Sequence, residues 1–284
     1  MASGVQTTEL QAGEFTFKVR QAGPQGARPV FLLHGFPETS WSWRHQMHHL
    51  AEAGFSVLAP DQRGYSPGAR PTAVQAYRAV ELVGDVIAMA DALGWARFDV
   101  VGHDWGGAVA WQLAGRHPDR IRTLTVVSTP HPAAFASARG AGGDQAERSS
   151  YMDFFRQEGV AERRLLDDDA AGLRNMYPLT GMVGQDIEEY IEVLGEAGAL
   201  TAALNWYRAM SAGDGVGLGP ITCPTLYVWS NQDVALGREA AEATESCVEG
   251  AYKFVELDGV SHWVPEDAPD RLNELLLDHL RSYA

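Results

Sequence analysis

Gly102-His103-Asp104-Trp105-Gly106-Gly107 is the stretch on which the fold of this chain turns. It follows a short apolar run, Phe98 to Val101, with the character of a buried strand, and it leads into a helical pattern reaching about Gly115. A G-x-nucleophile-x-G segment between a strand and a helix makes a sharp turn that lifts its central side chain above a sheet, beside the positive end of the helix. Glycines on either side let such a turn form without Cβ clashes. As an isolated pentapeptide it is equally compatible with an ordinary strand-to-helix turn in which Asp104 is only the helix N-cap. The flanking sequence has to decide.

Upstream, strand and helix signals alternate. Glu14 to Arg20 alternates polar and apolar residues, Pro29 to Leu33 is continuously apolar, Ser42 to Ala53 reads as a helix, Phe55 to Ala59 as a strand, and Ala76 to Leu93 as a helix ending at Gly94. Downstream, Ile121 to Ser128 is another strand signal. This alternation predicts a mostly parallel sheet with helices on both faces. It then breaks. Residues Pro132 to Ser150, rich in Ala, Gly and Ser, read as a loop, Tyr151 to Met210 as helices, and Ser211 to Pro220 as a Gly-rich loop. Strand and helix signals resume at Thr225 to Trp229, Leu236 to Thr244, Tyr252 to Leu257 and Asp267 to Tyr283. A helical block inserted within one sheet domain is most simply a lid over the sheet's C-terminal edge, where open α/β sheets bind ligands.

The resumed alternation supplies the partners that the turn needs. Asp233 lies just beyond one strand and His262 just beyond the next, so nucleophile, acid and histidine follow in the order Asp104, Asp233, His262. Singly, Asp233 reads as a turn residue and His262 as a structural histidine; in order, each in a strand-end loop, they read as a triad. His34-Gly35-Phe36-Pro37 follows the first buried strand, where the Phe36 N–H can face the Trp105 N–H as an oxyanion hole. His34 itself is expected to be structural, as is Arg63. His45, His48 and His49 are expected on a solvated helix face rather than around a metal, since no carboxylate lies at a fitting offset. Asp167-Asp168-Asp169 reads as a solvated turn and Glu188-Glu189 as a polar helix face.

Composition narrows the partners. The 284 residues, 45% of them apolar, suit one core carrying a large insertion. A formal charge of −15, from 37 acidic against 22 basic residues, argues against nucleic acid and anionic membranes as partners. Cys223 and Cys247 form no metal or CxxC spacing and are expected as free thiols in a reducing cytoplasm. Met1 to Glu14 lacks the basic start and apolar run of a signal peptide, and no apolar stretch approaches the ~18 residues of a membrane span.

His34-Gly35-Phe36-Pro37-Glu38, Pro60-Asp61-Gln62-Arg63-Gly64-Tyr65-Ser66 and His103-Asp104-Trp105-Gly106-Gly107 resemble the α/β-hydrolase superfamily, in particular its soluble epoxide hydrolase branch, and the resemblance runs over nearly the whole chain. It implies an eight-stranded, mostly parallel sheet with a helical cap inserted after the sixth strand. Residues 1–131 and 216–284 would then form the core and 132–215 the cap. Asn205-Trp206-Tyr207-Arg208 resembles a cap motif whose tyrosine binds the epoxide oxygen. Tyr151, followed by Phe154-Phe155 and Gly159-Val160-Ala161-Glu162, resembles the segment bearing a second such tyrosine, with departures around it. Both tyrosines could otherwise be packing residues.

An aspartate at the elbow suits displacement at a saturated carbon. A serine would give an ether that water does not readily cleave, whereas a carboxylate gives a hydrolysable ester. The expected activity is therefore conversion of an epoxide to a vicinal diol, with water as the second substrate, no metal and no cofactor, and a homodimer as the oligomer to test for. The nearest alternative is a haloalkane or haloacid dehalogenase using the same triad. It would want N–H donors for the halide, which Trp105 could supply, and a fluoroacetate-type enzyme would want an arginine where Trp105 stands. From another class, a non-catalytic receptor on the same fold is disfavoured by the complete triad.

Overall fold

Three apolar runs that read as buried strands lie at the heart of one eight-stranded sheet. The computed structural model describes residues 4–177, 182, 184–211 and 218–283. Its strands are β1 (Gln6–Ala12), β2 (Phe15–Ala22), β3 (Pro29–Leu33), β4 (Ser56–Pro60), β5 (Phe98–His103), β6 (Ile121–Val127), β7 (Thr225–Gln232) and β8 (Tyr252–Ser261), in the order β1-β2-β4-β3-β5-β6-β7-β8. β1 pairs with β2, and β2 with β4, antiparallel; every other pairing is parallel. The chain order reverses at β3, which lies between β4 and β5. Leu33 pairs with Gly102 and His103 with Val127, so the ends of β3, β5 and β6 are level at this switch point, where open α/β sheets form their binding crevice.

Alternation of side chains across the central strands builds two core layers. Phe31, Leu33 and Val100 face one, with Leu82, Val86 and Trp111; Val30, Leu32 and Val101 face the other, with Met47, Leu50, Leu272 and Leu276. The helices are α1 (Arg44–Glu52), α2 (Ala79–Ala92), α3 (Trp105–Arg116), α4 (Pro132–Gly140), α5 (Asp144–Arg148), α6 (Tyr151–Phe155), α7 (Val160–Arg174), α8 (Gly184–Leu194), α9 (Ala199–Ala209), α10 (Arg238–Ala243), α11 (Val264–Asp267) and α12 (Pro269–Ser282). α2 packs with α3 on the first face, and α1 with α12 on the second. α4 to α9 all fall between β6 and β7 in the chain. Among the described residues, no helix is long and apolar enough to cross a membrane.

Two expectations need correction. Residues 132–150 are not a loop but hold α4 and α5. The His131 side chain caps α4 by accepting from the Ala133 N–H at 3.2 Å, and Pro132 takes the first position, where its missing N–H costs nothing. The alanines that looked like loop filler are good helix formers. Second, β1 lies ahead of the first expected strand. Its residues are mostly exposed, so it carries no alternation to find. The Gly-rich segment Ser211 to Pro220, and with it the 215/216 boundary, lies largely outside the described residues.

The inserted helices are tied to the sheet by specific bonds. On α9, the Trp206 indole N–H donates to the Arg63 carbonyl at 2.9 Å. Arg63 is itself fixed by a bidentate pair with Asp85 at 2.7 and 2.6 Å, a structural role, as expected. On α8, the Tyr190 hydroxyl donates to Glu266 Oε1 at 2.5 Å, and that carboxylate also holds Arg44. α7 changes direction at Asp167 to Ala170, where the three aspartates are exposed and the backbone leaves helical geometry.

At the switch point the backbones approach closely. A Cβ on Gly106 would collide with the Leu33 carbonyl. Gly106→Ala is therefore expected to destabilise the fold by about 3 kcal/mol, seen as a lowered urea midpoint. Gly84 is a control. It is exposed within α2 with open space around it, so Gly84→Ala should be neutral or stabilise by up to about 1 kcal/mol.

Candidate active site

Asp104 stands at the turn between β5 and α3 with φ 50° and ψ −120°, a left-handed conformation that non-glycine residues seldom adopt. The surroundings leave it no other choice. A Cβ on Gly35 would overlap Asp104, and one on Gly102 would overlap the Gly106 carbonyl. The Asp104 carbonyl accepts from the Ala108 N–H at 3.0 Å and the Thr129 hydroxyl at 2.7 Å. Its carboxylate is aimed by the Phe36 N–H, which donates to Oδ1 at 2.8 Å. Trp105 opens α3, so its N–H belongs to the first helical turn, whose donors lack intrahelical acceptors.

The other two expected triad members arrive from the ends of β7 and β8. His262 Nδ1 lies 2.7 Å from Asp233 Oδ2, and Nε2 lies 3.6 Å from Asp104 Oδ2. Asp233 Oδ1 accepts from the N–H groups of Ala235 and Leu236 at 2.8 and 2.9 Å, leaving Oδ2 for the histidine. Both imidazole nitrogens thus face carboxylates. Burial favours the neutral ring, but the charges of Asp233 and Asp104 outweigh it and hold the His262 pKa well above the usual histidine value. Asp104 shows the counterpart: burial would raise its pKa, yet the hydrogen bond and charge of His262, helped by the Phe36 N–H, hold it below the usual carboxylate value.

Sequence reasoning missed several supports. His103 is buried, with Nδ1 3.0 Å from Glu38 Oε2 and Nε2 2.9 Å from the His262 carbonyl, so it braces the His262 loop. Ser128 Oγ donates to the same carbonyl at 3.0 Å. The acid loop is clamped by α5. The Gln145 amide donates to the Ala235 carbonyl at 3.0 Å and accepts from the Gly237 N–H at 2.8 Å, while Arg148 donates to the Asp233 carbonyl at 2.5 Å. Reading residues 132–150 as loop hid this clamp; the Asp144/Arg148 spacing, an i,i+4 ion pair, was the available signal. His34 is structural, as expected. It donates from Nδ1 to the Gly35 carbonyl at 2.8 Å and accepts at Nε2 from the Gln62 N–H at 3.1 Å, and burial depresses its pKa.

Asp104 opens onto a cavity of about 550 Å³ between the sheet and the inserted helices. Its walls are mainly apolar, with Leu82, Val109, Phe135, Met152, Trp206 and Leu236, and both Tyr151 and Tyr207 line it. The Tyr207 ring packs edge-on against Trp105 and Phe36, with centroids 5.0 and 5.5 Å away, and its centroid is 6.2 Å from that of Tyr151. Burial, reinforced by the Asp104 charge, pushes both phenol pKa values up. Both hydroxyls therefore keep their protons at neutral pH.

A turn-borne aspartate joined to a histidine and a second aspartate from the ends of β8 and β7, with helices inserted after β6, defines a class. The alpha/beta hydrolase fold model matches residues 28–269. The chain belongs to the α/β-hydrolase superfamily and, within it, to the epoxide hydrolase family. It is 35% identical to an AB hydrolase superfamily protein, YfhM, of Bacillus subtilis, over 98% of this chain and 99% of that protein. It is 32% identical to epoxide hydrolase A of Mycobacterium tuberculosis, over 93% of each. Among solved structures, epoxide hydrolase A from Mycobacterium thermoresistibile superposes with a TM-score of 0.88 at 29% identity, covering 99% of both chains.

The electrostatics can be tested without substrate. Unfolded histidine titrates near 6.5, so His262 stabilises the fold fully below that pH, and the contribution is lost as pH rises through its higher folded value. Asp104→Asn removes one of the two charges that raise it. The His262 ring, followed by NMR, should titrate at lower pH in that variant than in wild type; equal midpoints would show that Asp104 exerts no field on it.

Proposed function

We propose that this chain is an epoxide hydrolase that works through an ester on Asp104, with residues 132–215 as a cap closing the site over the core. The observation that carries the reading is a carboxylate at the elbow sharing one apolar cavity with two protonated phenols. Tyr151 and Tyr207 donate to the epoxide oxygen. Asp104 Oδ2, the oxygen not held by Phe36, attacks a ring carbon; the C–O bond breaks and the alkoxide takes a phenol proton. The attack consumes the Asp104 charge, which is one reason the phenol pKa values are high, so the phenols become better acids as the alkoxide forms.

The same loss of charge prepares the second step. With Asp104 esterified, His262 is paired with Asp233 alone, and its pKa falls. The proton it releases restores the tyrosinate. Neutral His262 then removes a proton from water, whose oxygen attacks the ester carbonyl. The oxyanion sits on Oδ1, which already accepts from the Phe36 N–H, and the Trp105 N–H in the first turn of α3 is assigned as the second donor. Collapse expels the second diol oxygen, which takes the proton from His262; the new carboxyl of Asp104 returns its own proton to His262.

Dehalogenation is a second reading, because the Trp105 indole lines the same cavity and could bind a halide. Halide release from chloroalkanes without diol formation from epoxides would favour it.

His262→Gln is expected to open the epoxide but not release diol. Intact-protein mass spectrometry should show one added substrate mass, mapping to Asp104. A folded variant with no adduct and no epoxide consumption would overturn the two-step scheme, as would full, persistent turnover by fresh Asp104→Asn.

The tyrosines act in the first step. Tyr207→Phe and Tyr151→Phe should each slow alkylation roughly 10²-fold or more in stopped-flow measurements, and the double variant should nearly abolish it while remaining folded. Wild-type alkylation rates in both single variants would remove them from the mechanism.

A further inference from the structure

Asp104 and its partners occupy one edge of the sheet. The opposite edge, at the N-terminal ends of the central strands, holds a second cavity of about 880 Å³. Pro29, Ser56, Arg97 and Arg122, at or beside the starts of β3, β4, β5 and β6, all line it. Among the described residues of its lining none is acidic, in a chain with 37 Asp and Glu, and the two charged groups are both arginines.

An irregularity of the sheet frees one of them. Phe98 pairs with Ile121 and Val100 with Leu124, so two residues of β6, Arg122 and Thr123, stand opposite the single residue Asp99. Such a bulge re-aims a side chain that a regular ladder would hold on one face. The Thr123 hydroxyl donates to Asp99 Oδ1 at 2.7 Å, and Arg28 takes the same carboxylate with bonds of 2.6 and 2.7 Å. Arg122 is left out. Its Nε is buried with no hydrogen-bond partner, and it forms no ion pair with any described residue. Buried polar groups are nearly always satisfied, so an orphaned guanidinium nitrogen in a cavity wall marks a place for an acceptor. Arg97 is exposed, and its Nε and Nη2 both reach the Ile121 carbonyl only at 3.4 Å, the long limit of a hydrogen bond. It thus reaches the peptide from which Arg122 springs. Leu58, Leu93 and Trp95 give the same cavity an apolar side.

We propose that this cavity binds a soluble phosphate monoester, with its phosphate held by Arg97 and Arg122 and its organic part against Leu58, Leu93 and Trp95. Two guanidiniums match the charge of a phosphate monoester, about −1.5 to −2 at neutral pH, and meet its oxygens through paired N–H donors. The net charge of −15 repels anions elsewhere, so an acid-free lining with two cations is a local exception. The proposal is independent of the epoxide hydrolase reading, and its test needs no turnover.

Calorimetric titration of the whole chain with phenyl phosphate should give a Kd below about 1 mM, roughly tenfold tighter than inorganic phosphate. Arg97→Gln and Arg122→Gln should each weaken it roughly tenfold, the double variant should abolish it, and Arg122→Lys should retain part of it. Unchanged binding in both single variants would put the ester elsewhere and overturn the proposal. Inorganic phosphate binding as tightly as the ester would also overturn it, by removing the organic contact. Arg97 is exposed, so its variant tests the site even where a change at Arg122 prevents folding. Urea midpoints separate a ligand site from a structural arginine. Without ligand, Arg122→Met should keep or raise the midpoint, because a partnerless buried guanidinium nitrogen is a cost. Phenyl phosphate should raise the midpoint of wild type and not that of the variant. A lowered midpoint with phenyl phosphate binding intact would make Arg122 structural and sink the site. Vesicles containing phosphatidic acid should not bind; capture by them in preference to the soluble ester would likewise count against it.

Discussion

One imidazole held between two carboxylates is the interaction around which this structure is organised. His262 must reach Asp104 from one side and Asp233 from the other, and the three come from the ends of three different strands. Each carboxylate is in turn fixed by backbone N–H donors, Phe36 for Asp104 and Ala235 with Leu236 for Asp233. These donors satisfy one oxygen of each carboxylate and leave the other for the ring. The charge balance of the resting site follows: two anions stabilise one cation in a largely apolar setting. Under the proposed chemistry, the same balance times the steps, because alkylation changes the charge that His262 feels.

The close packing of backbone at the switch point is the mechanical counterpart. Gly35, Gly102 and Gly106 allow β3, β5 and α3 to meet at distances that side chains would forbid, and Asp104 is forced into its strained turn between them. Strain of this kind persists only where the surroundings overdetermine it. Here the surroundings include the Thr129 hydroxyl bond, the Phe36 amide and the buried Glu38–His103 pair that braces the His262 loop.

Much of this was legible in the sequence because the fold and the site use short-range signals. Pro29 to Leu33 and Phe98 to Val101 are continuous apolar runs, and a strand buried on both faces has no other signature. The elbow directly follows such a run, and the acid and the histidine lie a few residues beyond the strand signals Thr225 to Trp229 and Tyr252 to Leu257, so their approximate placement followed from counting strands. What was not legible depends on tertiary partners. β1 pairs through its backbone with β2 and needs no apolar face of its own. Gln145 reads as one more polar residue in a poorly patterned stretch until the Ala235 to Gly237 loop is laid against it. The pairing of His103 with Glu38 joins residues 65 apart in sequence, which no local pattern can reveal.

The clamp of α5 on the Asp233 loop also bears on how the molecule assembles. Arg148 and Gln145 reach backbone groups 85 to 92 residues further along the chain, and contacts so distant in sequence close late because the intervening loop entropy must be overcome first. The strand that carries Asp104, β5, pairs with β6 between residues only 23 to 24 apart, such as Phe98 with Ile121 and His103 with Val127. A chain emerging from synthesis therefore has β5 and β6 available to pair before the Asp233 loop has been made. The inserted segment thus does more than line the cavity: through α5 it adds the last bonds that hold the Asp233 loop in place.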